Sequence, residues 1–196
     1  NLEEAAAMPL TALAAWEALF SRLAINLEGT LPSDASPKSI LIIGGAGGVG
    51  SIACQLASKL AGLTVIASAS RPESIAWSRK MGADYIVNHH HLVEDMSKLP
   101  INDVDYILCC NDTDMHFDSM VELIAPQGHI CSIVDNIQPL ALNKLKAKSV
   151  SFSWEFMFTR AMFKTDDMIE QHHILNEVAR LLDEGLLVST LQETLK

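Results

Sequence analysis

Gly45, Gly47 and Gly50 form a G-x-G-x-x-G pattern, with Gly44 and Gly48 adding further freedom to the same stretch. Alone the pattern is weak; its weight comes from where it sits. It directly follows a run of branched apolar residues, Ser39 to Ile43, and opens an amphipathic segment carrying Val49, Ile52, Ala53, Leu56, Ala57 and Leu60 on one face. A second strand-like run, Thr64 to Ser68, ends about 20 residues further on, the arrangement of a dinucleotide-binding βαβ unit. In such a unit the first glycine permits the tight turn and the second lets the backbone approach a pyrophosphate. The third lets helix and strand pack closely, while the helix start offers amide donors and positive potential to the anion. A glycine-rich turn with only a packing role is the alternative.

Other phosphate loops fit less well. A Walker loop needs Gly-Lys-Ser/Thr at its end, and Gly50 is followed by Ser51 and Ile52. A methyltransferase loop usually has an acid before its first glycine, where Ile43 stands, and neither Tyr85 nor Tyr106 begins a Tyr-x-x-x-Lys pair. The choice of dinucleotide is made where strand two ends. An NAD site places a carboxylate there for the ribose hydroxyls, and that charge repels the extra phosphate of NADP. The sequence reads Ala67, Ser68, Ala69, Ser70, Arg71, with no acid before Glu73. Small hydroxyls and a guanidinium suit a phosphate dianion, which favours NADP(H); a surface cation ahead of a helix is the alternative for Arg71.

The remaining reactive types read as structural. His89, His90 and His91 are adjacent, as are His172 and His173, so neither group has the spacing of a zinc site. Asp114 reads as a helix cap, with Asp112 and Asp118 solvated. Cys54, Cys109, Cys110 and Cys131 lack CxxC spacing and read as reduced thiols, three of them within apolar runs, consistent with a cytoplasmic protein.

The elements that must position the glycine loop follow from periodicity. The chain has 196 residues, 49% of them hydrophobic, enough for one domain with its own core. Its net charge of −10, with no basic cluster beyond the solvated Lys144 to Lys148 stretch, excludes nucleic acid as a main partner. No 18-residue uncharged apolar span or basic leader is present, so no membrane association is expected. A chain that starts at Asn1 and stops at Lys196 is expected to be an excised domain.

A helix over residues 2–25, broken near Pro9, leads into a core over residues 38–160. Its strands are expected at Ser39 to Ile43, Thr64 to Ser68, Tyr85 to Asn88, Val104 to Cys110, His129 to Val134 and around Ser149 to Trp154. Helices are expected after the glycine loop, from Pro72 to Lys80 and after Asp114, with a turn at Pro126 to Gly128 and a terminal helix over residues 165–184 stopped by Gly185. Strands alternating with helices predict an α/β fold, a doubly wound parallel sheet of the Rossmann type with an N-terminal and a C-terminal helix. The alternating Phe152, Trp154, Phe156 and Phe158 read as one buried face of an edge strand.

In order along the chain, AAAMPLTALAAWEAL, IIGGAGGVGSIACQLA, MGADYIVNH, VDYILC and LIAPQGHICSI resemble the cofactor domain of medium-chain dehydrogenases/reductases, on the zinc-type alcohol dehydrogenase-like or quinone oxidoreductase-like branch. The resemblance covers essentially the whole chain. It implies hydride transfer to or from a carbonyl, quinone or activated alkene, small-molecule substrate being bound with a GroES-like catalytic domain absent from this chain. It also implies a homodimer joined through the last edge strand. The amides around Gly47, Gly48 and Val49 would hold the pyrophosphate, Ser70 and Arg71 the adenosine phosphate, and His89 would stand beside that phosphate where related reductases often have tyrosine. Thr11 would approach the nicotinamide, and Ile133, Val134 and Phe156 would line its pocket. Zinc-dependent members place a cysteine ligand where Leu10 stands, so zinc is not expected in this chain, and no catalytic residue is assigned within it. A binding protein that holds NADP(H) as a sensor or structural ligand is the rival reading.

Overall fold

A computed structural model describes residues 2–27, 38–191 and 193. Residues 29–37, whose sequence carries Gly29, Pro32 and Pro37, lie outside them. Six strands form one parallel sheet: β1 (Ser39–Ile43), β2 (Thr64–Ser68), β3 (Tyr85–Val87), β4 (Val104–Cys109), β5 (Ile124–Ser132) and β6 (Ser151–Trp154), in the order β3-β2-β1-β4-β5-β6. β1 lies at the centre, paired with β2 and β4, so strand order reverses beside it. In open α/β sheets ligands bind at such a switch point, outside the carboxyl ends of the strands.

The branched run of β1 is buried on both faces, and its side chains divide by parity. Ile40 and Ile42 enter one core with α2 (Pro9–Trp16), α3 (Gly48–Lys59) and α8 (Glu170–Asp183); Leu41 and Ile43 enter the other with α6 (Thr113–Leu123). Each fully buried side chain of this size contributes about 1.5–3 kcal/mol by leaving water. Two layers of helices on a parallel sheet make the doubly wound Rossmann architecture that the alternation predicts.

Several elements differ from the sequence reading. The N-terminal helix is α1 (Leu2–Ala6), then α2 beginning at Pro9, then a π-helical continuation from Glu17 to Arg22. Hydrophobic spacing does not register the change of helical pitch. A short α5 (Leu92–Met96), also absent from the sequence reading, places Leu92 and Met96 one turn apart in the second core. The turn at Pro126 to Gly128 is an outward excursion inside β5: Val104 pairs with Ile124 but Tyr106 with His129, and Gln127 takes φ 64°. Ile133 and Val134 therefore lie just beyond the strand.

The terminal helix expected over residues 165–184 is α8, which begins later, at Glu170, and a separate short helix, α7 (Thr159–Phe163), precedes it. Lys164 closes α7 at φ 49°, and the Asp167 carboxylate accepts bonds from Thr165 Oγ1 (2.6 Å) and Arg160 Nε (3.0 Å), fixing a turn before α8. The cap of α6 is Asp112, whose Oδ1 accepts from Met115 N (3.0 Å), and not Asp114. Asp114 instead accepts from the backbone of Ile137 and Gln138, tying the loop after β5 to α6. Of the supposedly solvated lysines, Lys148 turns in to cap the end of α6 through the carbonyls of Val121, Glu122 and Ile124.

The aromatic stripe is not a buried face. Phe152 packs on the second core, but Trp154, Phe156 and Phe158 are 43%, 53% and 48% exposed. The opposite parity holds the inward position, where Glu155 is buried against the π-helical segment.

Candidate functional site

The glycine loop is shaped by two close approaches. Gly44 takes φ +84°, and its amide donates to Ser68 Oγ at 2.8 Å, which binds the loop to the end of β2. A Cβ on Gly50 would stand 2.2 Å from the Gly44 carbonyl oxygen, and one on Gly45 would stand 2.6 Å from the Ala67 Cβ. Those two glycines are buried spacers, whereas Gly47 and Gly48 are exposed, Gly47 in the lining of a cleft. Gly47 is extended (φ −74°, ψ 174°) and α3 begins directly after it. Ser51 N makes the first helical bond, back to Gly47 O at 2.8 Å, so the amides of Gly48, Val49 and Gly50 have no acceptor within the helix. Three such donors at the start of a 12-residue helix, with no side chain in front of Gly47, fit a pyrophosphate.

Gly44, Gly47, Ser70, Arg71 and His89 line one cleft, together with Ser68, Ser74 and Asn111. Ser70 and Arg71, adjacent after β2, and His89, on the loop after β3, thus meet from two separate segments. Arg71 is 75% exposed and pairs with Glu73 at 3.6 Å. Thr11 lies against the loop: its Cγ2 would be 3.0 Å from a Cβ on Gly48, and its hydroxyl donates to Met8 O at 3.2 Å. Ile133, Val134 and Phe156 stand apart from this cleft, at the carboxyl ends of β5 and β6.

The sequence reading missed the residues that hold those strand ends. Thr113 and Ser132 are buried and share a 2.6 Å hydroxyl hydrogen bond, and both hydroxyl oxygens lie within hydrogen-bond reach of the Val134 carbonyl. It also missed a buried ionic cluster behind β6. Arg22 Nε donates to Glu155 Oε2 at 2.8 Å, and the Arg160 guanidinium lies 2.7 Å from Glu17 Oε1 without the alignment of a hydrogen bond. Gln171 Nε2 also donates to Glu17. Burial and the neighbouring Glu17 push Glu155 up to about 7, against the opposing bond from Arg22. Heptad-like patterns carry no signal for such a cluster; Glu17 inside an otherwise apolar helix face was the one available hint.

Burial raises Cys54 and Cys131 to about 12, so these thiols are inert at neutral pH. Leu10 is exposed on α2, and among the described residues no three His, Cys, Asp or Glu side chains are grouped to hold a metal ion. Among them, no helix is long and apolar enough to cross a membrane.

Residues 48–171 match the zinc-binding dehydrogenase family. The chain belongs to this family. It is 48% identical over 184 residues to a zinc-type alcohol dehydrogenase-like protein of Staphylococcus epidermidis, covering 93% of this chain and 54% of that protein. A Rhizobium etli structure, described as a zinc-dependent alcohol dehydrogenase protein, superposes at a TM-score of 0.90 with 45% identity, covering 98% of this chain and 55% of that one. The Escherichia coli quinone oxidoreductase solved with NADPH shares the fold at a TM-score of 0.76 and 21% identity, covering 99% of this chain and 56% of that one. The zinc-type alcohol dehydrogenase-like domain of this family thus spans about half the length of the relatives it matches.

Proposed function

We propose that this domain binds NADP(H) for an oxidoreductase that transfers hydride to or from a carbonyl, quinone or activated alkene. The observation that carries the reading is the cleft itself, in which free helix-start amides stand at one end and Ser70, Arg71 and His89 at the other. Where an NAD site places a carboxylate after the second strand, this chain has Ala69 and Ser70. A guanidinium there can pair with a phosphate dianion through charge-assisted bonds, with Glu73 giving up its loose 3.6 Å contact. The NADPH held by the Escherichia coli quinone oxidoreductase, which has the same fold, agrees with this reading.

When bound, the nicotinamide supplies or accepts the hydride. The chain's own residues bind and orient. The amides of Gly48 to Gly50 hold the pyrophosphate, Thr11 steadies the loop from the other side, and Ile133, Val134 and Phe156 receive the nicotinamide end. Substrate is bound with a GroES-like catalytic domain outside this chain, in a cytoplasmic homodimer joined along β6, whose last residue, Trp154, is exposed. Sedimentation of the chain as a monomer at micromolar concentration would contradict that assembly.

The function is tested on the full-length enzyme by following NADPH oxidation against a panel of quinones and enones. Turnover that disappears in Gly47→Val, with the fold intact by circular dichroism, is expected, because a branched side chain there fills the pyrophosphate space. Tight NADPH binding without turnover on any acceptor would overturn the oxidoreductase reading, and unchanged NADPH affinity in a folded Gly47→Val would overturn the site.

A further inference from the structure

The phosphate corner of the cleft holds an unusual density of imidazole. His89, on the loop after β3, lines the cleft with Ser70 and Arg71. Its ring centroid lies 4.1 Å from that of His90. His116, from α6, is 1% exposed, and its Nε2 is buried with no hydrogen-bond partner. Two imidazoles in van der Waals contact cannot both carry charge without mutual repulsion, and charge on either also opposes charge on the buried His116.

We propose that His89 is a proton-linked discriminator for the extra phosphate: a dianion bound at Arg71 draws a proton from solvent onto His89, so that NADPH binds more tightly as pH falls while NADH does not respond. The inference rests on the NADP(H) reading of the cleft and adds the coupling to it.

The charges around His89 can be followed element by element. On its own loop, burial and His90 hold it below the usual histidine range. His91 leans toward Glu94 of α5 at 3.9 Å, and Asp95 is committed to Asn88 N and Lys98, both at 2.9 Å. From α6, burial lowers His116, with Asp112 opposing and His89 and His90 adding to the effect. From the β2 side come Arg71 and its partner Glu73. Arg71 and the Asp95-bound Lys98 are therefore the fixed cations of the corner, and burial and His90 disfavour charge on His89 until a ligand arrives. A phosphate dianion reverses the balance at His89, where opposite charge favours the protonated ring, and linkage requires that whatever favours the proton on binding also strengthens binding at lower pH.

The test is calorimetric titration of NADPH and NADH at pH 7 in two buffers of different ionisation enthalpy, with affinities followed from pH 8 to pH 6. NADPH is expected to bind with net proton uptake and to tighten by about five-fold over that range, the size of a partly exposed ion pair, before its own phosphate protonates near pH 6. His89→Asn should abolish the uptake and flatten the NADPH profile while leaving NADH unchanged. His90→Asn should shift the profile to higher pH by removing the competing ring, a change that loss of a merely structural contact would not produce. NADPH preference with no proton uptake, or uptake that persists in His89→Asn, overturns the coupling and leaves the cofactor reading standing. A chain that prefers NADH at every pH overturns the cofactor reading and the coupling with it.

Discussion

The two halves of the sheet are fixed by different physics. On the β1–β2–β3 side, position is dictated by backbone approach: Gly44 is bonded to Ser68, and Gly45 and Gly50 leave no room for a Cβ. On the β5–β6 side it is dictated by side-chain charge, through Arg22 and Glu155, 133 residues apart, and through Glu17 and Arg160. A steric constraint leaves a glycine in the sequence at a fixed offset from a strand. An ion pair across 133 residues leaves nothing local to find.

The largest expected effect breaks the charged half. Arg160→Met leaves the buried Glu17 carboxylate without a cationic partner, and should cost about 3–5 kcal/mol in urea unfolding. The preference for NADPH over NADH measured well below the unfolding transition should be unchanged, since Ser70, Arg71 and His89 are placed by the other half. A stability loss below about 1 kcal/mol would show that the cluster is not a structural lock.

Next, Gly50→Ala attacks the steric half. Its Cβ meets backbone atoms at 2.2 Å and 2.8 Å, so the loop must shift bodily, at about 3 kcal/mol or more. Denaturant midpoints within error of the parent would contradict the close approach.

A smaller effect sharpens the contrast through pH. Burial raises Glu155 from 4.5 to about 7 in the folded chain. The folded state then keeps a proton that the unfolded state loses, so stability falls as pH rises from about 4.5 to about 7; the penalty is absent below that window and complete above it. Glu155→Gln should flatten this slope in thermal melts taken across the window. An unchanged slope in the variant would show that another group carries it.

The same division governs what could be read from residues alone. β1, β2 and the helix from Pro72 to Lys80 fall where their patterns place them, because a run buried on both faces, a helix-starting proline and a closing glycine each act locally. The cleft was legible through Ser70, Arg71 and His89, which the parallel order β3-β2-β1 necessarily brings to one end. Ser68 and Asn111 were not, since their roles depend on the loop conformation they meet. Beyond β5 the legibility fails. The aromatic stripe has the alternation of a buried strand, yet the inward positions belong to Glu155 and its partners, and a turn built on Asp167 delays the start of the terminal helix to Glu170. Asp112 takes the capping role expected of Asp114, two residues on, because the loop at Ile137 claims Asp114.

The central claim is that Ser70 and Arg71 select the phosphorylated dinucleotide. Calorimetric titration of NADPH and NADH into the parent chain and into Arg71→Ala tests it most directly. NADPH should bind the parent more tightly, and the substitution should weaken NADPH by about 1.5–3 kcal/mol while leaving NADH nearly unchanged, the range for hydrogen bonds to charged groups. Equal losses for both nucleotides, or a parent chain that prefers NADH, would contradict the account.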